Sequence, residues 1–199
     1  MSSHSESTSP QQVIGLIGGM SWKSSAEYYR LINEDVRTRL GGLHSARCLM
    51  WSFDFADIEV LQRTGRWEDA AALMVDAAQR LERGGADFLV IATNTMHIAA
   101  PQVQAATKLP LLHIADPTAE RIKAAGLRKV GLLGTAFTME QDFYKGRLQR
   151  EHGLEVLVPE ARDRFAPGLP RGHRRPGRAR RRGHHPRLHR DHAVDRPRG

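Results

Sequence analysis

Apolar residues along this chain fall into two patterns, short continuous runs and longer stripes at helical spacing. Val13-Ile14-Gly15-Leu16-Ile17 is a run of the first kind, ending in Gly18-Gly19. It reads as a strand buried on both faces, followed by a tight turn. From about Ser24 to Leu40, Tyr28, Leu31, Ile32 and Val36 form a stripe. This predicts an amphipathic helix capped by Ser24 or Ser25 and stopped by Gly41-Gly42. Arg47 to Phe53 reads as a second strand, and Trp67 to Arg83 as a second amphipathic helix closed by Gly84-Gly85. Phe88 to Ala92 and Leu111 to Ile114 read as strands three and four. Helices alternating with buried strands predict an α/β fold, a parallel sheet covered by helices on both faces.

The pattern also repeats. Gly15-Leu16-Ile17-Gly18 is echoed by Gly131-Leu132-Leu133-Gly134, and Tyr28-Tyr29-Arg30 by Phe143-Tyr144-Lys145, at offsets of 116 and 115 residues. A repeated strand–turn–helix opening predicts two pseudosymmetric halves. The expected organisation is a polar, disordered tail over residues 1–12 and a first α/β domain over 13–115. A linker helix and the start of a second, incomplete domain follow over 116–164, then a basic tail over 165–199.

Charge sharpens that last boundary. The chain has 199 residues and a formal net charge of +8. Residues 165–199 hold eleven Arg and two Asp, with no Lys or Glu, so they carry +9. The remainder has 19 basic and 20 acidic residues and is nearly neutral. Arg, Pro, Gly and His fill 26 of the last 35 positions, with no apolar period. Such a segment buries too little apolar surface to offset its ordering entropy. Two readings stand: a basic arm binding nucleic acid or other polyanions non-specifically, or out-of-frame translation of a GC-rich gene. The body's 14 Arg against 5 Lys fit such a gene. The tail also carries His184, His185, His189 and His192, but nothing orders their spacing into a metal site, and no metal is expected.

Composition narrows the setting. No stretch approaches the ~18–20 apolar residues of a membrane span, so no membrane partner is expected. Met1 to Gln12 lacks the apolar segment of a secretory signal. The single cysteine, Cys48, excludes an internal disulfide and fits a cytoplasmic location.

Ligands of open α/β sheets collect at the carboxyl ends of strands. Four such ends carry small polar residues: Gly18-Gly19-Met20-Ser21, Thr93-Asn94-Thr95-Met96-His97, Asp116-Pro117-Thr118 and Gly134-Thr135-Ala136-Phe137-Thr138. Their hydroxyls, amides and adjoining helix N-termini offer donors to an anion. Each has a plainer reading. A Gly pair is common in βα turns, and this one is neither a P-loop nor a full dinucleotide fingerprint. Thr93-Asn94-Thr95 can simply cap a helix. His113 reads as a satisfied core histidine, and Cys48 as a buried small hydrophobe.

Together, Gly15 to Trp22, Gly41 to Ala46, Thr93 to His97, His113 to Asp116 and Leu133 to Glu140 resemble the aspartate/glutamate racemase family, in order, from about residue 13 to residue 160. The resemblance implies racemisation of aspartate or glutamate by two-base α-proton exchange, with no cofactor. A small acidic amino acid is the implied partner, and a homodimer is open. By resemblance Thr93 takes the place of a catalytic base. Asn94 and Thr95 bind the substrate carboxylate, Met20 and Gln62 line the pocket, and Thr135 and Thr138 approach it from the second half. Most of the family has Cys where Thr93 stands, and a branch with Thr there is closer. The partner cysteine of a Gly-Cys-Thr motif has no counterpart in this sequence. The chain is therefore expected to be impaired or inactive, its second half lost to a frame shift near Arg164. The alternatives are a non-catalytic binding protein, a polyanion binder acting through its tail, and a hydantoin racemase or maleate isomerase. The last two activities call for Cys at position 93.

Overall fold

The run from Val13 to Gly18 forms the central strand β1, paired on both sides and buried over its last four residues. The computed structural model describes residues 10–159, which lie in one compact unit. The expectations for residues 1–9, for residues 160–164 at the end of the second domain, and for residues 165–199 fall outside the described residues. Residues 10–12 have no regular structure. Among the described residues no helix is long and apolar enough to cross a membrane.

Helix α1 (Trp22–Leu40) follows β1, then β2 (Arg47–Ser52), α2 (Phe55–Arg63), α3 (Trp67–Arg83) and β3 (Phe88–Ile91). A 3-10 turn over Thr95–Ala99 leads into α4 (Ala100–Ala106) and the short β4 (Leu111–Leu112). These four strands make one parallel sheet, in the order β2-β1-β3-β4. Leu89, Ile91 and Ile17 point from it into a core with Met74, Ala77, Ala78 and Leu81 of α3, Ile58 of α2 and Val103 of α4. Leu16, on the alternate side of β1, is also fully buried. The central strand is thus covered on both faces, as a parallel sheet requires.

The chain continues through α5 (Ala115–Ala124), β5 (Lys129–Gly131), α6 (Ala136–Glu140), α7 (Asp142–Arg150) and β6 (Glu155–Leu157). β5 and β6 pair in parallel as a second sheet. Ala115, Ala119, Leu148, Leu154 and Val156 form a separate small core beneath it. In the echo of the first opening, the turn after β5 is followed by two helices broken at Gln141, where α1 is continuous.

Several local expectations need correction. The α1 cap is Ser21, not Ser24 or Ser25; its backbone is extended and its Oγ accepts from the Ser24 N–H. Ser25 is committed elsewhere: its buried Oγ accepts the Gly19 N–H at 2.9 Å. Leu31 is half exposed, while Tyr28, Ile32 and Val36 are partly covered, so the buried stripe of α1 is narrower than its sequence pattern. Helices α2 and α4 were not anticipated, because nine and seven residues give too little periodicity to read. Strand four stops at Leu112 rather than Ile114. The next backbone donors turn away from the ladder: Ile114 N–H goes to His97 and Ala115 N–H to His113. Cys48 is only half-buried rather than fully buried, and its packing pushes the thiol pKa up.

Candidate functional site

The turn after β1 is built around close backbone approach. Phe53 N–H donates to Gly18 O at 3.1 Å, and Gly19 sits at φ +85°. A Cβ on Gly19 would lie 2.3 Å from both Phe53 N and Phe53 O, so only glycine fits. This reversal brings Ser21 and the start of α1 over the carboxyl end of the sheet. Ser24 Oγ then donates to Ala92 O at 3.2 Å, fixing α1 against the end of β3.

Beside that contact, Thr93, Asn94 and Thr95 leave the sheet in a tight turn. Asn94 has helical dihedrals and its side chain makes no capping bond. The capping alternative for Asn94 therefore fails, and its amide is exposed. Thr93 and Thr95 are half-buried. Across from them, Thr135 does cap α6: its Oγ1 accepts from Thr138 N at 3.2 Å and lies 3.0 Å from Thr138 Oγ1.

Ser21, Ser24, Thr93, Asn94, Thr95, Leu132, Leu133, Gly134, Thr135, Thr138 and Tyr144 line one cavity of about 460 Å³. Five of the seven residues anticipated from the sequence thus meet in one cleft. Met20 and Gln62 do not line it. Met20 is buried in the core of the first sheet, and half-buried Gln62 donates through Nε2 to Met96 Sδ at 3.3 Å. Cys48 faces Ile14 near the start of β2, four residues before Ser52. At the rise of a strand that is about 13 Å from the sheet's carboxyl edge.

The polar side chains of the cleft wall are neutral donors and acceptors, set beside Leu132 and Leu133. Tyr144 is the one lining side chain of ionisable type, and its OH lies 3.4 Å from Thr118 Oγ1. Sequence reasoning missed Tyr144, although the Phe143-Tyr144 echo of the first helix marked it. It also missed the ring stack that joins α3 to α6, Trp67 on Phe137 at 4.8 Å between centroids.

Behind the turn lies a polar cluster. His97 is 1% exposed; its Nδ1 is 2.7 Å from Thr93 O and its Nε2 accepts from Ile114 N at 3.2 Å. Burial pushes its pKa down to about 4, against the opposing pull of the Thr93 and Asn94 backbone. His113, buried and edge-on to His97 at 4.5 Å, is likewise pushed down to about 4 by burial and by the neighbouring imidazole. It is the satisfied core histidine that its strand position suggested, with Nδ1 accepting from Ala115 N. Asp116 receives Arg147 Nε and Nη2 at 2.6 and 2.8 Å, with His152 Nε2 at 2.9 Å. Burial alone would raise the Asp116 pKa, but the Arg147 and His152 hydrogen bonds outweigh it and hold it at about 2. A second cavity of about 490 Å³ opens on this side, lined by Ile98, Pro101, Leu111, His113, Phe143 and Arg147 among others. It shares no lining residue with the cleft.

A pair of hydroxyl-rich turns opposed across a cleft suits a small anionic ligand. A Bacillus subtilis broad specificity amino-acid racemase, RacX, is 32% identical over 84 residues, covering 42% of this chain and 36% of that protein, so the match spans about a third of the relative's length. A solved Yersinia pestis protein assigned to the Asp/Glu racemases is 54% identical, with a TM-score of 0.75 over 77% of this chain and 67% of the other. An aspartate racemase homologue from Pyrococcus horikoshii is 36% identical, with a TM-score of 0.69 and the same coverage of the two chains. With the family model matching residues 17–190 as well, this α/β chain belongs to the Asp/Glu/hydantoin racemase family.

Proposed function

We propose that the cleft binds a small acidic amino acid, aspartate or glutamate, and exchanges its α-proton without a cofactor. The carrying observation is the opposition of Thr93, Asn94 and Thr95 to Thr135 and Thr138 in one cavity. Removing an α-proton leaves negative charge on the α-carboxylate. Hydroxyl, amide and backbone N–H donors fixed around that carboxylate stabilise the charge as it develops. Asn94 and Thr95 are the donors proposed for it. Thr93 is the proposed proton acceptor on one side: once its hydroxyl proton has been given up to water, Oγ1 takes the proton from Cα, and the electron pair of the broken C–H bond moves into the carboxylate.

The rate is the weak point. A thiol has a pKa of about 8.5 and needs only a small shift to act as a base. A threonine hydroxyl is a much weaker acid and needs a neighbouring base. Among the described residues, none accepts a hydrogen bond from the Thr93 hydroxyl, and no cysteine lines the cleft. The activity is therefore proposed to be impaired. The same observation favours a second reading, a racemase-like scaffold that holds the acid without turning it over.

Incubation with L-aspartate in deuterated water, followed by proton NMR and chiral chromatography, tests both. Saturable binding with slow or absent loss of the Hα signal is expected. Rapid appearance of D-aspartate would refute the impairment, and absence of binding would refute the substrate class.

A further inference from the structure

The histidine at the end of the Thr93–His97 turn has no part in the chemistry above. Its geometry gives it a specific task. A backbone N–H can only donate, so the Ile114 amide, 3.2 Å from Nε2, makes Nε2 an acceptor. The ring proton must then sit on Nδ1, donated to Thr93 O at 2.7 Å. The main-chain N–H of His97 goes to Asn94 O at 3.1 Å, the short pattern of a 3-10 turn, and the imidazole serves the Thr93 carbonyl. Groups facing the ring favour its neutral form. His113 lies edge-on, Arg147 opposes a second positive charge, and the only nearby carboxylate, Asp116, is held by Arg147 and His152.

We infer that His97 is a positioning residue: as a neutral Nδ1–H tautomer it pins the carbonyl of Thr93 to the β4–α5 turn and so sets where Thr93, Asn94 and Thr95 stand in the cleft. The inference rests on the proposed role of that turn in binding substrate. The linkage reaches further than the turn. From Ile114 the chain enters α5, where Asp116 is bonded by Arg147 and His152, and Arg147 belongs to the α7 that also carries Tyr144. Hydrogen bonds, with the main chain of α5 and α7 between them, thus connect the Thr93 wall of the cleft to the Tyr144 wall. Nothing in this requires the imidazole to exchange a proton with substrate, since the ring is buried behind the turn and does not line the cleft.

Two variants separate positioning from simple filling of space. His97→Phe keeps a ring and removes both hydrogen bonds. His97→Asn restores a donor that can reach Thr93 O, though not the contact with Ile114. Nitrogen NMR of the wild-type imidazole should show the Nδ1–H tautomer from about pH 5 to pH 8, outside the ordinary titration of a free histidine. In His97→Phe, amides 94–97 should exchange with solvent at least about tenfold faster than in wild type, the worth of one hydrogen bond. Amides of β3 should not change, L-aspartate affinity should fall by a similar factor, and His97→Asn should recover most of both. An Nε2–H tautomer in the wild-type spectrum, or wild-type exchange in His97→Phe, would overturn the inference. So would weakened binding that His97→Asn does not recover. Should wild-type protein bind no L-aspartate, the substrate reading fails alone, because tautomer and amide exchange are read without ligand. Should His97→Phe not fold, the wild-type tautomer and the exchange pattern of His97→Asn decide.

Discussion

Acidification from pH 7 to pH 4 should destabilise this fold through a buried imidazole. The perturbed group is His97, buried at 1% exposure, with a folded pKa of about 4 against an ordinary 6.5. Burial is the main cause, since a charged imidazole would lose its hydration and its acceptor role toward Ile114. Between those two values the unfolded chain takes up a proton that the folded chain refuses. Stability is thus present in full above pH 6.5 and is lost as pH falls toward 4. The gap of about 2.5 pH units corresponds to about 3 kcal/mol, a large part of the ~5–15 kcal/mol that a domain possesses. His113 is shifted in the same direction, and because the rings touch, their effects overlap rather than double. Asp116 acts in a separate window. Its pKa is held at about 2 from 3.8, so its contribution is lost only below pH 3.8. Urea unfolding at half-unit steps of pH, followed by tryptophan fluorescence, measures the effect. Loss of unfolding free energy should be concentrated between pH 6.5 and 4, and His97→Asn should flatten much of it. A stability flat across that window, or the same fall in His97→Asn, would refute the reasoning.

Two substitutions probe the cleft and its frame. Thr93→Cys supplies a stronger acid–base group in the same place, and α-proton exchange of L-aspartate in deuterated water should rise by about a hundredfold, the lower end for a positioned proton-transfer group; an unchanged rate would place the exchange elsewhere. Gly19→Ala forces a Cβ to within 2.3 Å of the Phe53 backbone at φ +85°. It should cost more than about 1 kcal/mol in urea unfolding and weaken L-aspartate binding; a neutral result would mean the turn has freedom that the Gly18–Phe53 hydrogen bond denies it.

Most of the first sheet was legible because its signals are long or unbroken. Helix α3 runs from Trp67 to Arg83, the limits its seventeen-residue periodicity and following Gly84-Gly85 implied. Strand β1 was marked by continuous apolar character, and the carboxyl edge by small polar residues where the runs end. The cleft was legible for a related reason. Thr93, Asn94 and Thr95 lie just after β3, and Thr135 and Thr138 at the start of the helix that follows β5, and parallel strands of an α/β fold end on one edge. Met20 also follows a strand and Gln62 lies near the end of α2, yet Met20 points into the core and Gln62 toward Met96. Their direction depends on backbone dihedrals at the Gly18–Gly19 reversal and on α2, a helix too short to announce itself.

Periodicity and residue type therefore determined which segments form strands and helices, which edge gathers polar groups, and which chemistry those groups permit. They act through neighbours close along the chain, and those are present in any sequence window. Ser21 as the α1 cap, the premature end of β4 and the tautomer of His97 were decided by the tertiary structure alone. Each depends on which distant donor or acceptor arrives first: Ser25 taking Gly19, His97 taking Ile114, Arg147 taking Asp116. A buried polar group must be satisfied, but its partner is chosen by packing across tens of residues, and no local pattern carries that choice.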